Sequence, residues 1–342
     1  MDVSSIVIVT IAVALIFDII NGFHDAANSI ATIVSTRVLS PRMAVLWAAL
    51  FNFVALFIFH IGVAKTIASI VTVQASDPAY VFVVMCGLIG AIAWNLLTWW
   101  LGLPSSSSHA LIGGLSGAGI AYTHDFSVLN TATLFTTLKF IVLAPLIGLA
   151  LGWLMMFLVS WIFRKARPRT VDKTFRSGQL LSAAAYSIGH GGNDAQKTIG
   201  VIIAILVASG SLHFNGHGDL VEDLPKWIVF ASYGCMSLGT AVGGWRIVKT
   251  MGMGITPLKP VGGFCAEVAG AITLFGLTYQ KIPVSTTHTI TGAIIGVGSV
   301  NKLRGIRWGV ATRILWAWIL TIPLAAFVGA VCLWIAQALN AW

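Results

Sequence analysis

Ten apolar stretches run through this chain of 342 residues, and polar residues interrupt the first and the sixth. A helix of about 17 to 25 apolar residues can cross the hydrocarbon core of a bilayer, because each residue adds about 1.5 Å. We therefore predict an all-α polytopic membrane protein with about 10 to 12 transmembrane segments. The stretches cover residues 5–36, 43–63, 81–101, 104–121, 133–163, 178–210, 226–244, 261–280, 283–300 and 309–338.

The scarcity of charge excludes the soluble classes of protein. Only 9% of the residues are charged, with 20 basic and 11 acidic side chains, whereas soluble domains carry about 25%. Disorder, a coiled coil and a secreted disulfide scaffold are excluded as well, and the four cysteines show no spacing typical of a metal site. The net charge of +9 does not indicate nucleic-acid binding, because the basic residues lie in short loops and form no continuous face. An acidic residue, Asp2, precedes the first apolar run, so we expect a retained first helix and not a signal peptide.

The short loops predict an orientation in the membrane. Lys and Arg cluster at residues 37–42, 164–176, 246–259 and 302–313, with Lys65 and Lys226 as exceptions. Because such clusters mark cytoplasmic loops, both termini are expected outside the plasma membrane of a bacterial cell. Five crossings then precede the basic central loop and five follow it. Because this number is odd, the two halves, if they are related, must be inverted in the membrane. The acidic residues on the outer side are Asp2, Asp77, Asp125, Asp219, Glu222 and Asp223.

Two pairs of motifs recur in the same order in the two halves. Residues 17–31 (FDIINGFHDAANSIA) align with residues 186–200 (YSIGHGGNDAQKTIG), and residues 102–119 (GLPSSSSHALIGGLSGAG) align with residues 281–298 (KIPVSTTHTITGAIIGVG). We predict a duplication in which 1–163 is the first inverted repeat, 164–177 a basic cytoplasmic linker, and 178–342 the second inverted repeat. Inverted repeats with broken and half helices are typical of secondary transporters.

Asp25 and Asp194 lie inside otherwise apolar stretches, each directly after a Gly-containing break in the pattern. An ionised Asp at mid-membrane costs about 2.5–3.5 kcal/mol on insertion scales, and an irregular backbone is tolerated there only where it faces protein or water. One interpretation is an Asp that caps a kinked helix. The duplication favours another, in which the two carboxylates converge near the midplane on a cation or proton site.

The second motif pair places hydroxyl groups at the start of an apolar helix in each half. Pro suits the first turn, Ser and Thr cap the free N–H groups, and such a helix start binds anions. Small-residue packing between membrane helices is the alternative. An anion beside two carboxylates requires co-bound cations or protons, which indicates cation-coupled symport. The hydroxyl residues are Ser105, Ser106, Ser107, Ser108, Ser285, Thr286 and Thr287.

The blocks NGFHDAAN, GHGGNDAQKTIG, PSSSSH and PVSTTH together resemble the inorganic phosphate transporter (Pit/PiT) family. The resemblance covers nearly the whole chain. It implies symport of phosphate with sodium or protons by alternating access, no cofactor, and a homodimer with separate scaffold and transport parts, in contact with membrane lipid. It also implies that Asp25, Asn28, Asn193, Asp194 and the two hydroxyl clusters contact the anion or the cation.

One residue departs from the pattern of the sodium-coupled members. The first copy reads D-A-A-N, but the second reads D-A-Q-K and so places Lys197 where Asn28 lies in the first. This form is similar to the bacterial low-affinity branch of the family, described as proton-coupled and as accepting metal–phosphate complexes. An ammonium group beside Asp194 could take the place of one bound cation, and we therefore predict proton coupling. The alternative is that Lys197 only snorkels or pairs with Asp194.

Weaker candidates and competing functions complete the prediction. His109 and His288 could donate to the anion, carry protons or serve helix packing, and Glu267 is either a functional intramembrane carboxylate or an interfacial one. Asp18, about two turns before Asp25, could extend a proton path. A sulfate permease of the same fold remains the main alternative. A membrane hydrolase is disfavoured because no G-x-S-x-G context exists, and a channel is disfavoured because the anion and carboxylate groups suit occlusion.

Overall fold

The computed structural model describes residues 3–71, 78–213, 220, 223–301 and 305–339. Asp2, Asp77, Asp219, Glu222, Lys302 and Arg304, which contributed to the predicted orientation, lie outside these residues. The described part of the chain contains twelve α-helices, which confirms the predicted all-α class. They are α1 (Val3–Ser35), α2 (Pro41–Val54), α3 (Gly62–Ala68), α4 (Pro78–Leu101), α5 (Ser107–Thr123), α6 (Thr131–Ile162), α7 (Pro168–Ala208), α8 (Lys226–Val242), α9 (Trp245–Gly254), α10 (Pro260–Tyr279), α11 (Thr286–Asn301) and α12 (Trp308–Ala338).

Five of the described helices are long and apolar enough to cross a membrane, and a sixth span results if the bent α2–α3 pair counts as one. Large apolar side chains such as Phe157, Trp161 and Phe327 stay exposed on α6 and α12, as lipid-facing surfaces require. α5 and α11 have 17 and 16 residues, which gives lengths of about 25 Å. They are therefore shorter than the hydrocarbon core, which agrees with the predicted half helices.

The expected breaks before the two Asp residues are absent, and this part of the prediction is wrong. α1 runs without interruption through Asp25, and α7 through Asp194. The glycines serve close packing instead: a Cβ on Gly22 would overlap the backbone carbonyl of Met236 in α8, and one on Gly191 would lie 2.5 Å from the carbonyl of Asn52 in α2. Small residues let membrane helices approach in this way.

The irregular backbone lies elsewhere. α2 and α3 meet at an angle of 89°, and non-helical segments precede α5 and α11 at residues 102–106 and 281–285. Most of the predicted linker is also helical, because α7 already begins at Pro168. Only residues 163–167 separate α6 from α7.

The same order of six helices occurs twice, and helices of one half pack against helices of the other. α1 packs against α8 and α9, while α7 packs against α2 and α3. Likewise α5 lies between α4 and α12, and α11 lies between α10 and α6. Each half therefore completes the core of the other, and the starts of α5 and α11 are enclosed by α1 and α7 in the centre of the molecule.

Candidate functional site

The two hydroxyl clusters form the buried starts of α5 and α11. Ser106 precedes α5 in an extended conformation, and its Oγ accepts a hydrogen bond from the backbone N–H of His109 at 3.3 Å. Ser285 does the same for the N–H of His288 at 3.2 Å. These two residues act as N-caps, which matches the predicted helix starts. All seven predicted hydroxyl residues, Ser105, Ser106, Ser107, Ser108, Ser285, Thr286 and Thr287, are buried.

Lys197 lies at the junction of the two halves. Its Nζ donates hydrogen bonds to Asp194 Oδ1 and to Ser108 Oγ, and to the carbonyl oxygen of Val284 at 3.0 Å. The side chain is only 1% exposed, so the interpretation that Lys197 snorkels to the membrane surface is wrong. The ammonium joins a carboxylate of α7 to the hydroxyl cluster of the other half.

Asn28 makes the corresponding connection from the first half. Its Nδ2 donates to Thr286 Oγ1 at 3.2 Å and to Thr287 Oγ1 at 2.9 Å. α1 thus reaches the start of α11, while Lys197 of α7 reaches the start of α5. The two positions that align in sequence contact opposite hydroxyl clusters, one with an amide and one with an ammonium.

Asp25 and Asp194 are brought together with histidines from both halves. One ligand atom each of Asp25, His190 and Asp194 lies within 4.8 Å of the others, and all three residues are buried. His24 Nδ1 is 2.8 Å from Asp25 Oδ1, and His190 Nε2 is 3.4 Å from Asp194 Oδ2. Carboxylate oxygens and imidazole nitrogens are ligands for divalent cations. The prediction that the two Asp residues converge is supported, but the spacing along the chain did not predict a three-residue cation group.

Asn193 makes three hydrogen bonds, one to the end of α10 and two to the segment before α11. Its Nδ2 donates to Thr278 Oγ1 at 3.0 Å and to the carbonyl of Ile282 at 3.3 Å, while its Oδ1 accepts from the N–H of Val284 at 3.3 Å. Through these bonds Asn193 positions the backbone that precedes the hydroxyl cluster. Thr286 Oγ1 completes the connection by donating to Asp194 Oδ2 at 3.3 Å.

Glu267 belongs to a separate buried group. Its Oε1 accepts from Thr32 Oγ1 at 2.6 Å and from Gln179 Nε2 at 2.9 Å, and its Oε2 accepts from Ser182 Oγ at 2.5 Å. The residue is 0% exposed, so it is enclosed by the helix bundle. The functional and the interfacial interpretation of Glu267 both stay predictions. The three hydrogen bonds to the Glu267 carboxylate connect α1, α7 and α10. None of them involves a residue of the hydroxyl clusters.

His109 and His288 pack against each other between α5 and α11. Their ring centroids are 4.6 Å apart, and His288 stacks on Trp318 of α12 at 3.7 Å. His288 Nδ1 lies 3.4 Å from the carbonyl oxygen of Ile141 in α6. These contacts favour the helix-packing role of the pair.

The structure adds residues that the sequence patterns did not single out. Thr98 of α4 lies 3.0 Å from His24 Nε2 and accepts a hydrogen bond from Ser105 Oγ at 2.9 Å, which connects Asp25 to the first hydroxyl cluster. Gln196 Oε1 accepts from the N–H of Val63 at the start of α3 at 2.9 Å. Thr98 lies outside both repeated motifs, so no sequence pattern pointed to it. Gln196 could have been identified from its position beside Lys197 in the D-A-Q-K block.

The arrangement has the chemistry of an anion site with built-in counter-charge. Hydroxyl and backbone N–H groups at two helix starts can donate to a tetrahedral anion. Lys197 neutralises one carboxylate beside them, and the group of Asp25, His190 and Asp194 can hold a cation. All of these groups are shielded from solvent in the structure.

Comparison with known proteins identifies relatives over nearly the whole chain. A family model described as the phosphate transporter family matches residues 21–329. The probable low-affinity inorganic phosphate transporter of Rhizobium meliloti is 52% identical over 329 residues, which cover 96% of this chain and 95% of the relative. The protein of the same description from Bacillus subtilis is 42% identical over 336 residues, which cover 98% of both chains.

A solved structure described as the sodium-dependent phosphate transporter has the same fold. Its TM-score is 0.86 at 24% identity, and the match covers 98% of this chain and 99% of that one. The relatives are transporters and not enzymes, and their match to a helical, apolar chain identifies a multi-pass protein of the bacterial plasma membrane. The chain belongs to the phosphate transporter family.

Proposed function

We propose that this protein is a secondary active symporter that imports inorganic phosphate together with protons. The anion binds near the membrane midplane between the starts of α5 and α11, and alternating access exposes this site to each side of the membrane in turn. The relatives support the substrate, since they are described as low-affinity inorganic phosphate transporters. The buried hydroxyl clusters support the location.

Lys197 is the observation that carries proton coupling. The ammonium group of Lys197, bound to Asp194, Ser108 and the carbonyl of Val284, occupies the position where a sodium ion would otherwise neutralise the carboxylate. Asn28, at the matching position of the first half, is neutral and donates to two hydroxyl groups. The protein therefore needs fewer external cations, and a proton on a buried carboxyl or imidazole group balances the remaining charge.

Metal–phosphate complexes fit the same site as an alternative form of the substrate. Asp25, His190 and Asp194 offer oxygen and nitrogen ligands within 4.8 Å of one another. A divalent cation bound there would lie beside the anion and reduce the repulsion between phosphate and the carboxylates. In this form the metal is cargo and leaves with the phosphate.

The two-fold order of the helices supports a duplication with the halves inverted in the membrane. The first repeat comprises residues 1–163, the linker residues 164–177, and the second repeat residues 178–342. Both termini then lie outside the cell. The cross-packing of the halves suits a rocking motion around the central site, and we further propose that the protein works as a homodimer.

Uptake by purified protein in vesicles tests the coupling. We expect labelled phosphate to accumulate when the vesicle interior is alkaline, with sodium replaced by choline throughout. Uptake that follows a sodium gradient and ignores the pH gradient would refute proton coupling. The variant Lys197→Met is the matched comparison, because it keeps most of the side-chain volume of Lys197 and loses the charge.

Competition between anions tests the substrate. Phosphate near neutral pH keeps a proton that it can donate to a carboxylate such as Asp25, whereas sulfate has none to give. We therefore expect a tenfold excess of sulfate to leave phosphate uptake nearly unchanged. Equal inhibition by sulfate and by unlabelled phosphate would favour the sulfate permease instead.

A further inference from the structure

A cavity of about 530 Å³ lies beside the central site at the C-terminal end of α10. The bent segment between α2 and α3 forms one wall, and the end of α10 forms the other. Lys259, in a basic loop, precedes α10, so the predicted orientation places the opposite end, and with it the cavity, on the outer face. Its lining includes Phe59, His60, Gly62, Thr278, Tyr279 and Lys281, of which His60, Tyr279 and Lys281 are exposed.

The inner wall of this cavity touches the central site. Thr278 Oγ1 accepts the hydrogen bond from Asn193 Nδ2 at 3.0 Å. The ring of Phe59 lies directly against Gly192, where an added Cβ would overlap it. Phe59 also packs against Phe275 with ring centroids 5.1 Å apart. An aromatic pair and one hydrogen bond therefore separate the cavity from the part of α7 that carries Asp194.

Lys281 has a left-handed backbone conformation, with φ +62°. The matching position in the first half is Gly102, with φ +67°, which is the residue that adopts this conformation without strain. This conformation closes the C-terminal turn of α10, where the N–H of Ile282 donates to the carbonyl of Leu277 at 3.0 Å. Lysine adopts it less readily than glycine. Its aliphatic stem packs over Gly62, and the residue is exposed and lines the cavity.

A related arrangement occurs on the other face of the molecule. Phe23 of α1, which aligns with Gly192, packs against Trp99 with ring centroids 5.5 Å apart. The guanidinium of Arg246 lies 5.5 Å from the centroid of the Trp99 ring. On each face a cationic side chain thus lies near an aromatic pair that borders the central site.

We infer that the outer cavity is a loading site for a phosphate anion, in which Lys281 and His60 hold the anion before it passes the Phe59–Phe275 pair toward Asn193. This inference rests on the proposed import of phosphate. The ammonium supplies charge attraction and donors, and the imidazole supplies an N–H group. Attraction by exposed charge raises the rate of capture and weakens in salt.

Initial rates of labelled phosphate uptake in phosphatidylcholine vesicles test this inference. We expect Lys281→Gln to lower kcat/KM by roughly five- to tenfold at low ionic strength, with kcat within about twofold of wild type. The defect should nearly vanish in about 1 M choline chloride, where the screening length is about 3 Å. Lys281→Arg should retain wild-type kinetics. Lys281→Gly, which copies Gly102, should show the same defect as Lys281→Gln.

Lys226 provides the matched control, because it is exposed at the start of α8 on the same predicted face and lines a different cavity. We expect Lys226→Gln to change kcat/KM less than twofold, and an equal loss in both variants would overturn the inference. A Lys281→Gln defect that is independent of salt, or that lowers kcat alone, would also overturn it. So would a defect that appears only with anionic lipids, since that result assigns the anion to a lipid headgroup. Failure of the wild-type protein to take up phosphate at all would instead refute the proposed function.

Discussion

Replacement of Lys197 by Asn tests whether an ammonium group stands in for a cation. Position 197 aligns with Asn28 of the first half, so the variant has Asn at both positions. Lys197 is only 1% exposed and donates hydrogen bonds to Asp194, Ser108 and the carbonyl of Val284. Without it, Asp194 keeps Thr286 at 3.3 Å and His190 at 3.4 Å. Removing one partner of a buried ion pair destabilises a protein by about 3–5 kcal/mol. This is a large share of the total free energy of unfolding, which is usually about 5–15 kcal/mol.

A sodium ion that fills the vacated space should recover much of this loss. A ligand present at about 100 times its Kd stabilises the folded state by about 2.7 kcal/mol. We therefore expect Lys197→Asn to unfold at a lower temperature than wild type in choline chloride, and to regain most of the difference in sodium chloride. Phosphate uptake by the variant should need sodium, whereas uptake by the wild type should not.

Thermal unfolding of the purified protein in detergent measures the first effect, and vesicle uptake measures the second. Lys139→Asn is the control, because Lys139 is exposed on α6 and its loss should not create a sodium response. A variant as stable as wild type in choline would refute the reasoning. An equal effect of sodium on variant and wild type would refute it too.

Other substitutions separate binding roles from structural roles. Ser107 Oγ has no hydrogen-bond partner among the described residues, so Ser107→Ala should raise the KM for phosphate severalfold and leave the melting temperature unchanged. Ser106→Ala removes an N-cap and should lower the free energy of unfolding by about 0.5–2 kcal/mol. Glu267→Gln places an amide among three donors and should destabilise the protein by about 1–3 kcal/mol; an unchanged melting temperature would contradict this. Asp18 is a fully buried carboxyl group on α1, the helix that also carries Asp25. Asp18→Asn should abolish uptake driven by a pH gradient but preserve phosphate–phosphate exchange, while loss of both would indicate a structural defect.

The class of the protein and its two motif pairs could be predicted from the sequence because they depend on local properties. The bilayer requires long apolar helices wherever the chain crosses it, and helix starts rich in Ser and Thr are encoded within a few residues. The hydroxyl clusters, Asp25, Asp194 and Lys197 were all identified in this way, and the structure places them together in the centre of the molecule.

The role of the glycines was decided only by the tertiary structure. The blocks NGFH and HGGN suit a broken helix as well as a close contact, because Gly weakens a helix and also lets another backbone approach. Gly22 faces Met236, and Gly191 faces Asn52; both neighbours come from distant parts of the chain. No pattern along α1 or α7 contains that information.

The pairing of side chains between the halves has the same origin. The alignment places Lys197 opposite Asn28, but it does not show that Lys197 reaches Ser108 or that Asn28 reaches Thr287. The sequence likewise does not show the three donors that the packing of α1, α7 and α10 places around Glu267. Sequence determines which groups are available in each half. The packing of one half against the other decides which of them meet, because contacts between distant residues depend on the shapes of both helices.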